Sequence, residues 1–237
     1  MKHRILPTIA LASPLLLFGA CIFVVDGDGH VRHGLHIDDD EDWGLTEGSG
    51  ISKTESRTVT DFRRIVVEGS ADLSVRVGDA TSVNVTGDDN IISYVTTEVR
   101  DGSLVIGMKR GSYSTRVDLT IAVTTPGLDA LSIQGSSDAE LSGITGESFS
   151  AQIFGSGDVR ASGKVDRLDA AISGSGDLRL DGLESREVKV GISGSGDVEV
   201  WATEMLVASI SGSGDVRYRG EPKVTKSVAG SGSVAPR

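Results

Sequence analysis

The sequence predicts an all-β protein whose body is a parallel β-helix, a solenoid with coils of 18–20 residues. Three observations carry this. A Gly-Ser-Gly-Asp motif, varied to Gly135-Ser136-Ser137-Asp138 in the first copy and Gly230-Ser231-Gly232-Ser233 in the last, recurs at intervals of 20, 19, 20, 18 and 18 residues, with copies starting at Gly135, Gly155, Gly174, Gly194, Gly212 and Gly230. Apolar residues stand two apart on both sides of the first five copies. Glycine is abundant, at 31 residues against 5 prolines, while aromatic residues make up only 4%. Such a core must come from stacked medium-sized side chains rather than from a few large anchors.

Residues 1–20 read as a secretory signal peptide. Lys2 and Arg4 precede an apolar run from Ile5 to Phe18, and Gly19-Ala20 supply the small residues before a cut. The run is short and interrupted by Pro7 and Pro14, which suits a leader better than a membrane span. Cys21, the sole cysteine, follows at once and forms no intramolecular disulfide. Phe18-Gly19-Ala20-Cys21 resembles the lipobox of bacterial lipoproteins, with Phe18 where leucine is usual. The resemblance implies lipid attachment at Cys21 and an exported protein anchored in a bacterial cell envelope. In a diderm host that means the outer membrane or a periplasm-facing position.

Residues 21–57 read as an acidic tether behind that anchor. They hold the run Asp38-Asp39-Asp40-Glu41-Asp42 and Gly48-Ser49-Gly50, with few apolar residues in any period, so charge repulsion and glycine favour an extended chain. His30, His33 and His36 lie here in an H-x2-H-x2-H spacing. They are the candidates for transition-metal ligation, although a solvated spacer is the simpler reading.

The main domain is expected over 58–235. Its first part, 58–130, is less regular but alternates in the strand manner, for example in Leu73-Ser74-Val75-Arg76-Val77, and Asp101-Gly102 marks a hairpin turn. Gly69-Ser70-Ala71-Asp72 is an early copy of the repeat with matching neighbours Val67, Leu73 and Val75. This segment is expected to stack on the array and cover its end.

The regular array spans 131–235. Two residues before the first glycine stand Ile133, Ile153, Ile172, Ile192, Ile210 and Val228; four after it stand Ala139, Val159, Leu178, Val198, Val216 and Val234. One repeat cannot bury such a face alone, but coils stacked at about 4.8 Å build a continuous core of aliphatic columns. The spacing leaves the handedness of the coil open.

The corners carry the candidate structural column: Gly155, Asp158, Gly174, Asp177, Gly194, Asp197, Gly212 and Asp215. Glycine turns sharply through positive φ, and aspartate accepts backbone N–H groups in a turn. Stacked aspartates repel by about 1 kcal/mol per pair in water. Backbone hydrogen bonds together with Arg160, Arg179 and Arg217 are the favoured compensation. Calcium is the one conceivable cofactor, but the dense nonapeptide spacing of calcium β-rolls is missing. The serine column through Ser156 and Ser175 could add a ladder of hydroxyls.

Phe62-Arg63-Arg64-Ile65-Val66-Val67-Glu68-Gly69, Asp88-Asp89-Asn90-Ile91-Ile92-Ser93-Tyr94-Val95 and Glu98-Val99-Arg100-Asp101-Gly102-Ser103-Leu104 stand beside this Gly-Ser-Gly-Asp-Val array. Together they resemble the auto-transporter adhesin, head GIN domain family over roughly 58–235. The resemblance implies a β-helix similar to pectin-lyase-like proteins, wound right-handed, on exported or lipid-anchored bacterial proteins. It brings no catalytic residues.

A formal charge of -11, which becomes more acidic once the leader is lost, excludes nucleic acid as a partner. All four histidines precede residue 37 and the array has no cysteine, so Ser-His and Cys-His chemistry are absent from it. The aspartates recur at equivalent places, whereas acid–base catalysis needs unequal neighbours. The chain is therefore expected to be no enzyme. It is read as a module that binds or adheres to a glycan or surface protein; the alternatives are a structural envelope spacer and, less favoured, a polysaccharide-active enzyme.

Overall fold

The computed structural model describes residues 44–237 together with two short strands, β1 (Val24–Val25) and β2 (Val31–Arg32), which pair antiparallel with each other. From residue 44 onward the chain is a parallel β-solenoid of about five turns. In chain order its first strands are β3 (Leu45–Glu47), β4 (Ser52–Arg57), β5 (Arg64–Gly69), β6 (Asp72–Val77), β7 (Ser82–Asp88), β8 (Val95–Arg100), β9 (Ser103–Met108), β10 (Ser112–Ser114), β11 (Thr120–Thr125) and β12 (Ala130–Gly135). The array follows as β13 (Ala139–Gly155), β14 (Val159–Gly174), β15 (Leu178–Gly194), β16 (Val198–Gly212), β17 (Val216–Arg219), β18 (Lys223–Gly230) and β19 (Val234–Pro236). One 3-10 turn, Ile92–Tyr94, precedes β8.

The columns read from the sequence are rows of paired residues. Val67, Ile133, Ile153, Ile172, Ile192, Ile210 and Val228 pair in one unbroken parallel register. Leu73, Ala139, Val159, Leu178, Val198, Val216 and Val234 form the second row. From Ile133 to Ile210 the first row is at most 3% exposed, so each coil shelters the next from water.

Coil length varies by two residues, yet the corners stay in register. The difference is absorbed at the opposite bend, where pairing shifts between Leu141 and Ile144, between Arg160 and Ser162, and between Leu180 and Glu184. Extra residues there form bulges, which increase local bending without disturbing the rest of the ladder. A strand and its bend therefore make one removable unit. Deleting residues 155–173 joins Phe154 to Gly174 and preserves every column. The shortened chain is expected to unfold in one cooperative transition with a smaller denaturant m-value, since less surface is buried. Loss of all β-structure by circular dichroism would contradict quasi-independent stacking.

At its first turns the solenoid continues into two short sheets. One adds β9 parallel to β5 and then β8 antiparallel to β9, through the expected turn at Asp101 (φ 50) and Gly102 (φ 72). The other adds β11 parallel to β6, then β7 and β4 antiparallel. Buried Ile65, Leu104, Ile121 and Val85 join the same core as the array.

Residues 45–57, assigned to the tether by composition, are instead β-structure. β3 pairs with β10 and β4 with β7. Ser52-Lys53-Thr54-Glu55-Ser56-Arg57 carries no apolar alternation because it is an edge strand. Ladder bonds hold it, with Thr54–Thr86 (2.8 Å) and Ser56–Asn84 (2.7 Å) side-chain bonds across the pair.

The coil containing β18 and β19 blunts the other end. Lys226 stands where earlier coils have Ala151, Ala170, Val190 and Ala208, and its Nζ donates to the Val234 carbonyl at 3.3 Å. Pro236 lies in β19, and the Arg237 guanidinium reaches back to Asp181 and to Glu199. A charge at a core position and an edge proline both discourage pairing with another chain.

Candidate functional site

The structure stacks the corner residues Gly155, Asp158, Gly174, Asp177, Gly194, Asp197, Gly212 and Asp215 on one another. Gly155, Gly174, Gly194 and Gly212 have φ from +136° to +146°. A Cβ on any of them would lie 2.0–2.1 Å from the glycine carbonyl oxygen of the preceding corner. Asp158 Oδ1 accepts the Asp177 N–H (3.2 Å), Asp177 Oδ1 that of Asp197 (3.0 Å), and Asp197 Oδ1 that of Asp215 (2.8 Å). Arg179 spans Asp158 (2.8 Å) and Asp177 (3.1 Å), and Arg217 lies 3.9 Å from Asp197 and 3.6 Å from Asp215. The hydrogen bond that Arg179 donates to Asp158 raises the Arg179 pKa; burial opposes it, and the charge of Asp158 adds a smaller upward effect. Amides and guanidinium groups thus occupy the carboxylates and offset their repulsion. The serines contribute main-chain rather than hydroxyl bonds: Ser156 N–H donates to the Gly135 carbonyl and Ser175 N–H to that of Gly155, both at 2.9 Å. Cys21, His30, His33 and His36 lie outside the described residues.

A second site was not foreseen. In the coil of β9 and β11 the tight corner is replaced by the longer connection 109–119, whose β10 leaves to pair with β3. The space under the Gly69-Ser70-Ala71-Asp72 corner is therefore open, and a Cβ on Gly69 would meet nothing within 4 Å. A cavity of about 530 Å³ fills this place. Val95, Ile106, Met108 and Leu119 give it an apolar floor, while Glu68, Asp72 and Asp118 contribute carboxylates and Tyr113 an aromatic wall. Tyr113 packs on Tyr94 at 5.0 Å between ring centroids, and its hydroxyl donates to the Lys109 carbonyl at 3.1 Å. Burial, then the neighbouring Tyr94, pushes the Tyr113 phenol up from its ordinary pKa. The legible signal is an absence: between Ile106 and Ile121 the chain has the aliphatic columns on both sides but no Gly-x-x-Asp.

Along the bend of the array runs a shallower groove of about 420 Å³. Phe149, Leu168 and Val188 form its floor, Met205 and Val207 are exposed at 39% and 38%, and Arg167, Asp169, Glu187 and Lys189 alternate in charge at its rim.

Asp88 fixes the connection that shapes the cavity. It is fully buried; Oδ1 accepts the Gly50 N–H (2.7 Å), and Oδ2 accepts those of Arg116 (2.9 Å) and Val117 (3.1 Å). Burial raises its pKa, but the three amides and the charge of Arg116 together outweigh this and hold it below the ordinary value.

Stacked parallel coils, glycine corners and two adjoining sheets at one end define a parallel β-solenoid domain. The chain belongs to the family described as "Putative auto-transporter adhesin, head GIN domain", whose model matches residues 61–222. A solved structure described as a putative adhesin from Bacteroides fragilis has a TM-score of 0.70 at 22% identity, covering 81% of this chain and 100% of that one. Two Parabacteroides distasonis structures each have a TM-score of 0.54 over 81% of this chain. One, described as a putative lipid binding protein, is 26% identical over 99% of its length; the other, a putative adhesin, is 24% identical over 100%. No curated protein matches the chain.

Proposed function

We propose that the mature protein is an exported binding module of the bacterial cell envelope, anchored by lipid at Cys21, that contacts a glycan or surface protein. The observation that carries this reading is the contrast between array and lead-in. In the array the corner carboxylates are occupied by amides and arginines. At the lead-in a cavity presents polar groups that the fold itself does not use. Membership of an adhesin-like family supports binding over catalysis, and repeated outward-facing side chains suit many weak contacts acting together.

Two measurements test this. Intact-mass spectrometry of the protein from its host is expected to find Cys21 as a lipid-modified N-terminus. An unmodified Cys21, or a cut elsewhere, removes the anchor. The mature chain, displayed against arrays of glycans and envelope proteins, is expected to retain a discrete set. No retained ligand would favour the spacer, and turnover of a polysaccharide would restore the enzyme.

A further inference from the structure

We propose that the cavity under the Gly69 corner seats a basic, extended peptide segment of a partner protein, whose backbone supplies the corner missing from the stack. This rests on the binding-module reading and assigns its ligand chemistry.

In the array, each corner hands its serine N–H to the glycine carbonyl of the corner below. Ser136 donates to Gly69 at 2.9 Å, and the pattern repeats from Ser156 to Ser231. Below Ser70 the connection 109–119 has swung away, and among the described residues no carbonyl takes its N–H. Two residues further on the chain is tied, where Asp72 N–H donates to the Leu119 carbonyl at 2.9 Å. An unpaired amide therefore borders the cavity between two finished ladders. An extended backbone is the group that fits a vacant ladder position, because it brings carbonyls at the strand spacing.

The charge identifies the segment further. Glu68, Asp72 and Asp118 line the cavity, and no lysine or arginine does. They do not converge on one point: among the described residues, no three carboxylates or imidazoles could share a metal ion. A bare divalent cation is thus a poor fit. A lysine or arginine side chain lays an apolar stem on Ile106, Met108 and Leu119 and carries its charge to the carboxylates.

The test uses the mature chain with Cys21→Ser, at physiological salt, and an acetyl-capped Gly-Lys-Gly-Lys-Gly peptide as probe. Titration calorimetry is expected to show binding that weakens at least tenfold in Glu68→Gln/Asp118→Asn. Thr115→Trp, which plugs the cavity without changing charge, is expected to weaken it equally. The charge-matched Glu140→Gln/Glu147→Gln variant is expected to stay within twofold, and the Ser70 amide resonance should move on binding. Equal losses in the two charge variants would reduce the effect to the general acidic field and overturn the proposal. So would full binding by Thr115→Trp, or spermidine binding as tightly as the peptide. If the arrays retain a glycan that Thr115→Trp abolishes while the peptide never binds, the peptide assignment falls and the binding-module reading stands. If arrays and peptide both fail, both fall.

Discussion

Gly174→Ala is expected to cost on the order of 4 kcal/mol or more, a fall in Tm of about 8–16 °C for a domain of this size. Two effects add. Gly174 sits at φ +143°, where an L-residue is strained by about 1–3 kcal/mol. The new Cβ would also lie 2.1 Å from the Gly155 carbonyl oxygen, a backbone atom fixed in the ladder. The coils must separate or the corner must break. Two companions divide the total. Gly69→Ala, at φ +125° with open space around it, should show the strain alone. Gly191→Ala, with neither positive φ nor a neighbour within 4 Å, should change stability by less than about 1 kcal/mol. Thermal melts of the three should rank Gly174, then Gly69, then Gly191. Equal melts would show that the corners are not in contact.

Asp88→Asn should lower Tm by something on the order of 10 °C, because an amide in place of the carboxylate turns an N–H toward donors that need an acceptor. Asparagine keeps one acceptor oxygen, so either Gly50 or the pair Arg116 and Val117 would face its NH2 group and lose a partner inside the fold. Gly48 adds to the constraint, since a Cβ there would lie 2.5 Å from Asp88 Oδ2. The sign with pH follows from the depressed native pKa. The stabilisation is fully present above the unfolded carboxylate value of about 3.9 and is lost as pH falls through the lower native pKa. The Tm gap between wild type and Asp88→Asn should therefore be constant above about pH 5 and narrow as the solution is acidified below the unfolded carboxylate range. A gap that persists unchanged in acid would mean the carboxylate is not what holds the connection.

The parts of this fold legible in the sequence are those where one physical demand repeats. Ile153, Ile172 and Ile192 are alike because each fills the same slot between neighbouring coils. Gly155 and Gly174 are alike because each passes under the same carbonyl. The lead-in yields where it shares those demands, as at Val67, Gly69 and Leu73, and at the local turn signal Asp101-Gly102. Edge strand β4 escaped notice because Ser52–Arg57 buries no apolar face, so periodicity had nothing to report. Asp88 entered the sequence reading only as part of the stretch Asp88–Val95, since nothing local marks the amides of residues 116 and 117 as its partners. The cavity arises where the repeat is broken, and a break leaves no motif.

All of this depends on equivalent residues lying one strand spacing apart along a single axis. Pulsed electron–electron distances between spin labels on the exposed serine column, in a Cys21→Ser background, measure that spacing directly. With one label at residue 136, the account expects the distance to grow by about 5 Å for each coil as the second label moves from residue 195 to 213 to 231. Distances that level off, or that alternate between long and short as in a folded-back sandwich, would contradict the stacked solenoid.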